Sequence, residues 1–319
     1  MSYRTYQLFG TFILLISLIL ALPGSGQYRE YYLYGKVVDT QKNPLEGVEI
    51  ALRDVETSRS YSIKTNKNGE FKFAGLPHGI YKVVFKKEGY AVKEDEWKFE
   101  TPQDRIQKAE IPLVTLVTQT QVQEQERLKE MQGEVKEAAE KIREKDFDGA
   151  ILLLKGVLDK NPKDSNALYL IGMSYARKQM YPEAIDALTQ VTQLSPKFPP
   201  AYFELAVCYQ QQKDFEKALE YYQKTLDLDP NNPDAAYNSG LILFGLNRID
   251  EALASFEKAL SLRPDDPAYL EMAGRCYINQ ANFEKAIEYL EKAKAGYTDQ
   301  EKLKFLDDLI AKLKEQIKK

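Results

Sequence analysis

Histidine, cysteine and tryptophan are scarce in this sequence, which has one His, two Cys and one Trp among 319 residues. The only histidine, His78, stands in a Pro-His-Gly turn without a second histidine or a cysteine near it. A histidine-based metal site or a Ser-His triad needs convergent partners, which are missing here. Asp39 and Asp54 also lack the ligand-spaced acidic string of a calcium loop, and there is no glycine-rich phosphate loop. We therefore expect no catalytic residue, no metal site and no cofactor.

No stretch of the chain has a strong excess of positive charge. Residues 27–117 hold 15 basic and 14 acidic side chains, whereas residues 165–298 hold 13 basic and 18 acidic ones. Binding to a nucleic-acid backbone needs clustered Lys and Arg, so nucleic acid is not an expected partner. A 44% hydrophobic content in 319 residues allows more than one domain with its own core.

The N-terminus has the order of a secretory signal. Arg4 precedes a mostly apolar run from Leu8 to Leu22, and small residues follow up to Gly26. This order predicts a signal peptide over residues 1–26 and export to the periplasm or the extracellular space. An uncleaved anchor is the alternative, although the run is short for a membrane span, which needs about 17–25 residues. In either case this segment is the only membrane contact that we expect.

Residues 30–115 alternate apolar and polar side chains, as strands with one buried face do. Val48, Ile50 and Leu52 form one such run. Turn sequences such as Asn68-Gly69, which suits a tight hairpin, separate the runs. Short alternating strands with frequent turns predict a β-sandwich.

Glycine and turn spacings continue through the whole segment. They are Gly35-x-Val37-x-Asp39, Pro44-Leu45-x-Gly47-Val48, Thr65-x-x-x-Gly69-x-Phe71-x-Phe73, Leu76-Pro77-x-Gly79-x-Tyr81 and Gly89-Tyr90. These residues resemble the carboxypeptidase regulatory-like domain, a transthyretin-like sandwich, and the resemblance implies a fold but no reaction. Because such sandwiches also resemble sugar-binding modules, a carbohydrate-binding surface is one interpretation. Its stacking candidates are Tyr31, Tyr32, Tyr34 and Trp97.

Three classes of residue recur with one constant period in the second half of the chain. They are proline at 162, 196, 230 and 264, alanine at 150, 184, 218, 252 and 286, and a small residue at 172, 206, 240 and 274. A fixed period of this length indicates stacked supersecondary units. The pattern Leu168-x-x-Ile171-Gly172-x-x-Tyr175 resembles the tetratricopeptide repeat. That resemblance implies helical pairs over residues 134–298, the first copy being degenerate.

The fold class that we predict is an N-terminal all-β sandwich followed by an all-α superhelical helix-turn-helix repeat solenoid. Residues 116–133 are predicted to be a helical linker. The apolar stripe that starts at Leu128 and Met131 fits either a short coiled coil or a helix packed on the first repeat. Residues 299–319 are predicted to cap the last repeat, through a stripe formed by Leu303, Leu306, Ile310 and Leu313.

The two cysteines occupy the same place in repeats two apart. Packed helices lie about 8–10 Å apart, and a whole repeat separates Cys208 from Cys276. A disulfide needs Cα atoms within about 7 Å. We therefore expect both to be buried apolar residues.

A second stripe of apolar residues follows the first helix of each repeat, which lines the concave side in the family that the chain resembles. This apolar stripe consists of Tyr169, Met173, Phe203, Val207, Tyr237, Leu241 and Phe244. One interpretation is a groove for an apolar helix or an extended segment. The other is a set of additional core contacts between neighbouring helices. The lysines with which some family members bind a C-terminal carboxylate are absent from this stripe.

These patterns favour a non-enzymatic, exported adaptor that holds a protein or peptide partner in the concave groove of the repeats. The alternative is a cell-envelope protein that binds carbohydrate through its sandwich. A third hypothesis, an accessory subunit of an enzyme, differs from the first only in its partner.

Overall fold

The computed structural model of the chain describes residues 30–100 and 106–318. The predicted signal peptide over residues 1–26 lies outside the described residues. The chain divides into two compact units, Met1–Lys129 and Glu130–Lys319.

The first unit contains two β-sheets. Its described strands are β1 (Glu30–Val38), β2 (Glu49–Asp54), β3 (Ser60–Lys64), β4 (Glu70–Leu76), β5 (Gly79–Lys86), β6 (Lys93–Phe99), β7 (Ile106–Glu110) and β8 (Val114–Thr115). One sheet has the order β4-β1-β7, with β8 also paired to β1, and the other has the order β3-β2-β5-β6. The β7 and β8 strands run parallel to β1, and the other pairs are antiparallel.

The inner faces of these sheets share one hydrophobic core. Ile50 and Leu52 on β2 and Phe85 on β5 are fully buried, while their sequence neighbours are more exposed. The single tryptophan, Trp97, is also in this core and stacks on Phe71 with ring centroids 6.2 Å apart. The predicted alternation and the predicted sandwich are therefore confirmed.

The Asn68-Gly69 turn connects two sheets and not two strands of one sheet. Gly69 has a φ of +74°, and a Cβ at this position would lie 2.3 Å from the Val37 carbonyl oxygen. The positive φ was expected, but the hairpin prediction is wrong because β3 pairs with β2 whereas β4 pairs with β1. The turn leads the chain from one layer of the sandwich to the other.

Helices occupy the rest of the described chain. They are α1 (Gln119–Arg143), α2 (Phe147–Lys160), α3 (Ser165–Arg177), α4 (Tyr181–Leu194), α5 (Pro199–Gln211), α6 (Phe215–Leu228), α7 (Pro233–Gly245), α8 (Ile249–Leu262), α9 (Pro267–Asn279), α10 (Phe283–Gly296) and α11 (Gln300–Ile317). From α3 to α10 the helices alternate as first and second members of a pair, and each begins one sequence period before its counterpart in the next pair. The predicted repeat fold is confirmed.

The repeated small residues and prolines have the expected mechanical roles. A Cβ at Gly172 would lie 2.6 Å from the Leu188 side chain, and one at Gly240 would lie 2.6 Å from Phe256. The absence of a Cβ therefore lets the two helices of a pair approach closely. Pro196 comes shortly after the end of α4, because proline cannot continue a helix.

The turn inside each helical pair has a left-handed residue that is not glycine. These residues are Lys145, Gln179, Lys213, Asn247 and Ala281, with φ between 57° and 65°. They recur with the period of the repeats, and each precedes the N-cap of the second helix of its pair. The conformation repeats although the residue type does not.

Helices at both ends of the array contribute to its core. One continuous helix, α1, covers the end of the predicted linker and the start of the first predicted repeat. Met131 and Ala138 on this helix are buried in one cluster with residues of α2 and α3, as expected for packing on the first repeat. On α11, the side chains of Leu306, Ile310 and Leu313 are buried in the core of the last repeats.

Candidate functional site

The apolar stripe lies on the first helices of three successive repeats, α3, α5 and α7. All seven of its side chains are half-buried, and none is fully buried or fully exposed. The repeat period places Tyr169, Phe203 and Tyr237 at equivalent positions. These three positions form a continuous series along the array.

The aromatic rings of the stripe rest on the core of the array. The ring centroid of Phe203 is 5.7 Å from that of Tyr222, and the Tyr237 centroid is 4.7 Å from that of Tyr269. Such distances are typical of favourable aromatic pairs. Each ring thus has contacts with the core and also keeps part of its surface open.

A buried carboxylate, Glu204, lies on α5 next to the stripe residue Phe203. The residue is 7% exposed, and its Oε2 atom has no hydrogen-bond partner among the described residues. Its one ion pair in the described part of the chain is with Arg177 on α3, at 3.6 Å from Nη2 to Oε1. Burial raises the pKa of the Glu204 carboxyl, and the charge of Arg177 opposes this shift only in part.

Three helices besides α5 place polar groups around Glu204. Burial, and then the charge of Glu204, raise the pKa of Tyr169 on α3 to about 12. The same two causes raise the pKa of the Cys208 thiol to about 12. On α6, the Tyr222 hydroxyl donates a hydrogen bond to the Gln210 side chain at 2.7 Å, and Asn238 on α7 also lies beside this hydroxyl. None of these neighbours satisfies Oε2 of Glu204.

A second buried carboxylate, Glu271 on α9, has several hydrogen-bond donors. The residue is 5% exposed. It accepts hydrogen bonds from the Arg275 guanidinium, the Tyr297 hydroxyl and the Lys302 ammonium, each at 2.8 Å. Burial alone would raise the pKa of the Glu271 carboxyl, but these hydrogen bonds outweigh it and lower the pKa.

The cations around Glu271 are also placed over aromatic rings. The Lys302 ammonium on α11 is 5.4 Å from the ring centroid of Tyr297, and the Arg275 guanidinium is 5.6 Å from that of Phe305. Cation–π contacts of this length are attractive. The last helix, α11, therefore supplies both a cation and a ring to the surface at α9.

Sequence reasoning described the stripe as apolar and missed both glutamates. The register of the repeats contained a signal for them. Glu271 aligns with Tyr169, Phe203 and Tyr237, and Glu204 aligns with Leu170. The Glu204 position is polar in one other repeat, at Asn238, whereas the Glu271 position is aromatic in the other three. These charged residues were visible in the sequence, but their burial and their partners were not.

The four carbohydrate-stacking candidates do not share one surface of the sandwich. Tyr31 and Trp97 are in the core. Tyr32 and Tyr34 lie on the opposite face of β1, where the Lys72 ammonium is 5.6 Å from the Tyr32 ring centroid and Tyr34 is 40% exposed. Two of the four aromatic side chains are therefore unavailable to a sugar.

The residues considered for catalysis or metal binding lie in turns, where the two aspartates accept hydrogen bonds from the backbone. His78 is exposed in the turn between β4 and β5. The Asp54 carboxylate accepts hydrogen bonds from the backbone N–H groups of Glu56 and Thr57, and Asp39 holds its own turn in the same way. Across residues 30–100 and 106–318, no group of His, Cys, Asp and Glu is placed to hold a metal ion. Both cysteines are buried and free.

Membrane-spanning helices were also sought in the described part of the chain. None of the helices found there combines the length and the apolar character that crossing a bilayer requires.

Comparison with solved structures found similarity in about half of the chain. A MamA structure is 26% identical, with a TM-score of 0.48, and the match covers 50% of this chain and 97% of that one. MamA from Desulfovibrio magneticus RS-1 is 20% identical, covering 51% and 92% with a TM-score of 0.48. YrrB, described as a TPR protein with an unusual peptide-binding site, is 23% identical, covering 55% and 90% with a TM-score of 0.48. No curated protein matches the chain.

Comparison with protein families found two kinds of domain. The carboxypeptidase regulatory-like domain matches residues 33–113. Tetratricopeptide repeats match residues 135–199, 199–232 and 237–301. These matches coincide with the sandwich and with the helical array, and both resemblances predicted from the sequence are confirmed. The chain therefore belongs to the tetratricopeptide repeat proteins and carries an N-terminal carboxypeptidase regulatory-like domain.

Proposed function

We propose that this protein is a non-enzymatic adaptor that holds a segment of a protein partner in the concave groove of its repeats. Tetratricopeptide repeats bind protein or peptide partners, which supports the general class. The observation that carries the proposal is the row of seven half-buried apolar side chains on α3, α5 and α7. Such a row suits an amphipathic helix or an extended apolar segment.

The apolar stripe packs against a layer of fully buried side chains and is distinct from that layer. The second helices supply Leu188, Tyr222, Phe256 and Leu290, which occupy equivalent positions in successive repeats and are fully buried. The stripe rings lie on top of this layer and keep open surface. Covering that surface with a partner would remove apolar area from water, which contributes about 25 cal/mol per Å² before the costs of association.

Replacing Phe203 and Tyr237 together by Ala tests the adaptor proposal. The double variant should lose the partners that the intact protein captures from an envelope extract, as identified by mass spectrometry. Leu152→Ala is the matched control, because Leu152 on α2 is 74% exposed and lies outside the stripe. Equal capture by all three proteins would argue against the stripe as the binding surface.

Export is part of the proposal and rests on the sequence of residues 1–26. An adaptor for envelope or secreted complexes needs such a signal. N-terminal sequencing of the protein from its native host should give a chain that begins near Gln27. A cytosolic chain that begins at Met1 or Ser2 would contradict export and leave the groove proposal unaffected.

Carbohydrate binding through the sandwich is not part of this proposal. It needs neighbouring exposed rings, and Tyr31 and Trp97 are buried in the sandwich core.

A further inference from the structure

Glu204 and Glu271 are a natural pair for comparison inside this chain. Both are at least nine-tenths buried, and both lie on the first helix of a repeat. The Glu271 carboxylate accepts hydrogen bonds from a lysine, an arginine and a tyrosine hydroxyl. Glu204 has only the Arg177 guanidinium at 3.6 Å, and its Oε2 atom has no hydrogen bond among the described residues.

We infer that Glu204 is the polar subsite of the groove and receives the ammonium or guanidinium group of a basic residue in the bound segment. The Lys302 side chain, which reaches Glu271 from the neighbouring helix α11, is the intramolecular counterpart of that residue. This inference rests on the adaptor proposal. It adds a sequence requirement for the partner, which is one Lys or Arg flanked by apolar residues.

The physical reason is the cost of a buried carboxylate without sufficient partners. A buried charge that lacks hydrogen bonds is unfavourable, and a close, charge-assisted hydrogen bond offsets that cost. At 3.6 Å, the Arg177 contact is longer than such a bond, which is about 2.7–2.9 Å. Because Oε2 is itself buried, an incoming cation supplies the missing interaction once the half-exposed Arg177 side chain moves aside.

The groups around Glu204 favour a cation over an anion. Tyr169 on α3, Tyr222 on α6 and Cys208 on α5 all have pKa values raised by burial first and by the Glu204 charge second or later. They are neutral at physiological pH and do not balance that charge. In the described part of the chain, Arg177 is the one cation in contact with Glu204, and its side chain is 48% exposed. It can move into solvent when a second cation arrives.

A library of random, N-acetylated dodecapeptides tests this inference with defined probes. We expect the intact protein to enrich peptides with one Lys or Arg between apolar residues. The Glu204→Gln variant should keep the apolar preference and lose the basic one. Glu183→Gln, which alters an exposed carboxylate on α4, is the control and should leave both preferences unchanged.

The best peptide then gives a quantitative comparison. Replacing its basic residue by norleucine should weaken binding to the intact protein about tenfold, as measured by fluorescence anisotropy, since hydrogen bonds to charged groups commonly contribute this much. The same replacement should have no effect on binding to Glu204→Gln. Arg177→Gln removes the competing cation and should increase the preference for the basic peptide. Because Arg177 is half-exposed, this second variant provides a test even if Glu204→Gln folds poorly.

The outcomes separate the subsite from the groove. Enrichment of apolar peptides without a basic preference would overturn the role of Glu204 and leave the adaptor proposal in place. An unchanged basic preference in Glu204→Gln, or a reduced one in Arg177→Gln, would have the same meaning. Failure of the intact protein to enrich any peptide would overturn both proposals.

Discussion

Glu204 and Glu271 are buried carboxylates at two places in the repeat array. Glu271 is satisfied by hydrogen-bond donors within the protein, whereas Glu204 is not satisfied by the described residues. At α9, the helix α11 and Tyr297, the residue that follows α10, supply hydrogen-bond donors to the Glu271 carboxylate. At α5, no neighbouring helix among the described residues supplies an equivalent set to Glu204. Glu204, the carboxylate without sufficient hydrogen-bond donors, lies beside the half-buried apolar stripe. For this reason we assign the partner to the stripe.

Removing α11 should have the largest effect on stability and should also take from Glu271 one of its hydrogen-bond donors. A chain that ends at Thr298 loses Leu306, Ile310 and Leu313 from the core and Lys302 from Glu271. Each fully buried large side chain contributes about 1.5–3 kcal/mol, so stability should fall by several kcal/mol. Thermal denaturation followed by circular dichroism measures the loss. A melting temperature equal to that of the full chain would mean that α11 is an appended tail.

Substitutions in the stripe should have a smaller effect on stability. Phe203→Ala and Tyr237→Ala each remove a half-buried ring, and we expect losses of about 1–3 kcal/mol, which is below the 3–5 kcal/mol typical of a buried aromatic. Phe256→Ala is the matched control, because this fully buried ring lies 5.7 Å from that of Tyr237. Chemical denaturation compares the three variants. Equal losses at Tyr237 and Phe256 would assign the stripe to the core.

The repeat fold was predictable because steric requirements fix residue types at fixed positions. Gly172 and Gly240 must be small where Leu188 and Phe256 approach them, so the period appears in the sequence. The left-handed turn residues repeat just as regularly but were not predictable, since residues as different as Lys213, Asn247 and Ala281 occupy that position.

The candidate site was predictable only in part. The apolar stripe followed from the register of the first helices. The unequal environments of Glu204 and Glu271 depend on which side chains neighbouring helices bring close, such as that of Lys302 from α11. No pattern within one repeat contains that information. In the sandwich, the same limit explains why Asn68-Gly69 was assigned to a hairpin, since a turn sequence does not reveal which sheet receives the next strand.

Neutralising the two glutamates should affect stability unequally. Glu271→Gln removes the charge that Lys302 and Arg275 contact, and we expect a loss of about 1–2 kcal/mol, because both cations are partly exposed and their pairing is screened. Glu204→Gln should change stability little or increase it, because it removes a buried charge whose one ion-pair partner among the described residues is 3.6 Å away. Denaturant unfolding at neutral pH measures both. A larger loss of stability in Glu204→Gln than in Glu271→Gln would show that Glu204, and not Glu271, is the better satisfied carboxylate.

The pH dependence of these two variants should differ in sign. The folded pKa of Glu204 is raised above its ordinary value of 4.5, so the protonated carboxyl contributes stability below that value and the contribution is lost as pH rises through the raised pKa. The intact protein should therefore lose stability relative to Glu204→Gln as pH increases from about 4.5.

The opposite holds for Glu271, whose folded pKa is lowered. Its contribution is present above the ordinary value of 4.5 and is lost as pH falls through the lowered pKa. The advantage of the intact protein over Glu271→Gln should therefore shrink in acid. Melting temperatures of the three proteins between pH 3 and pH 8 give the two difference curves, and we expect this to be the smallest effect because each curve reports one proton. Curves that slope in the same direction would show that the pKa values of the two carboxyls are not shifted in opposite directions.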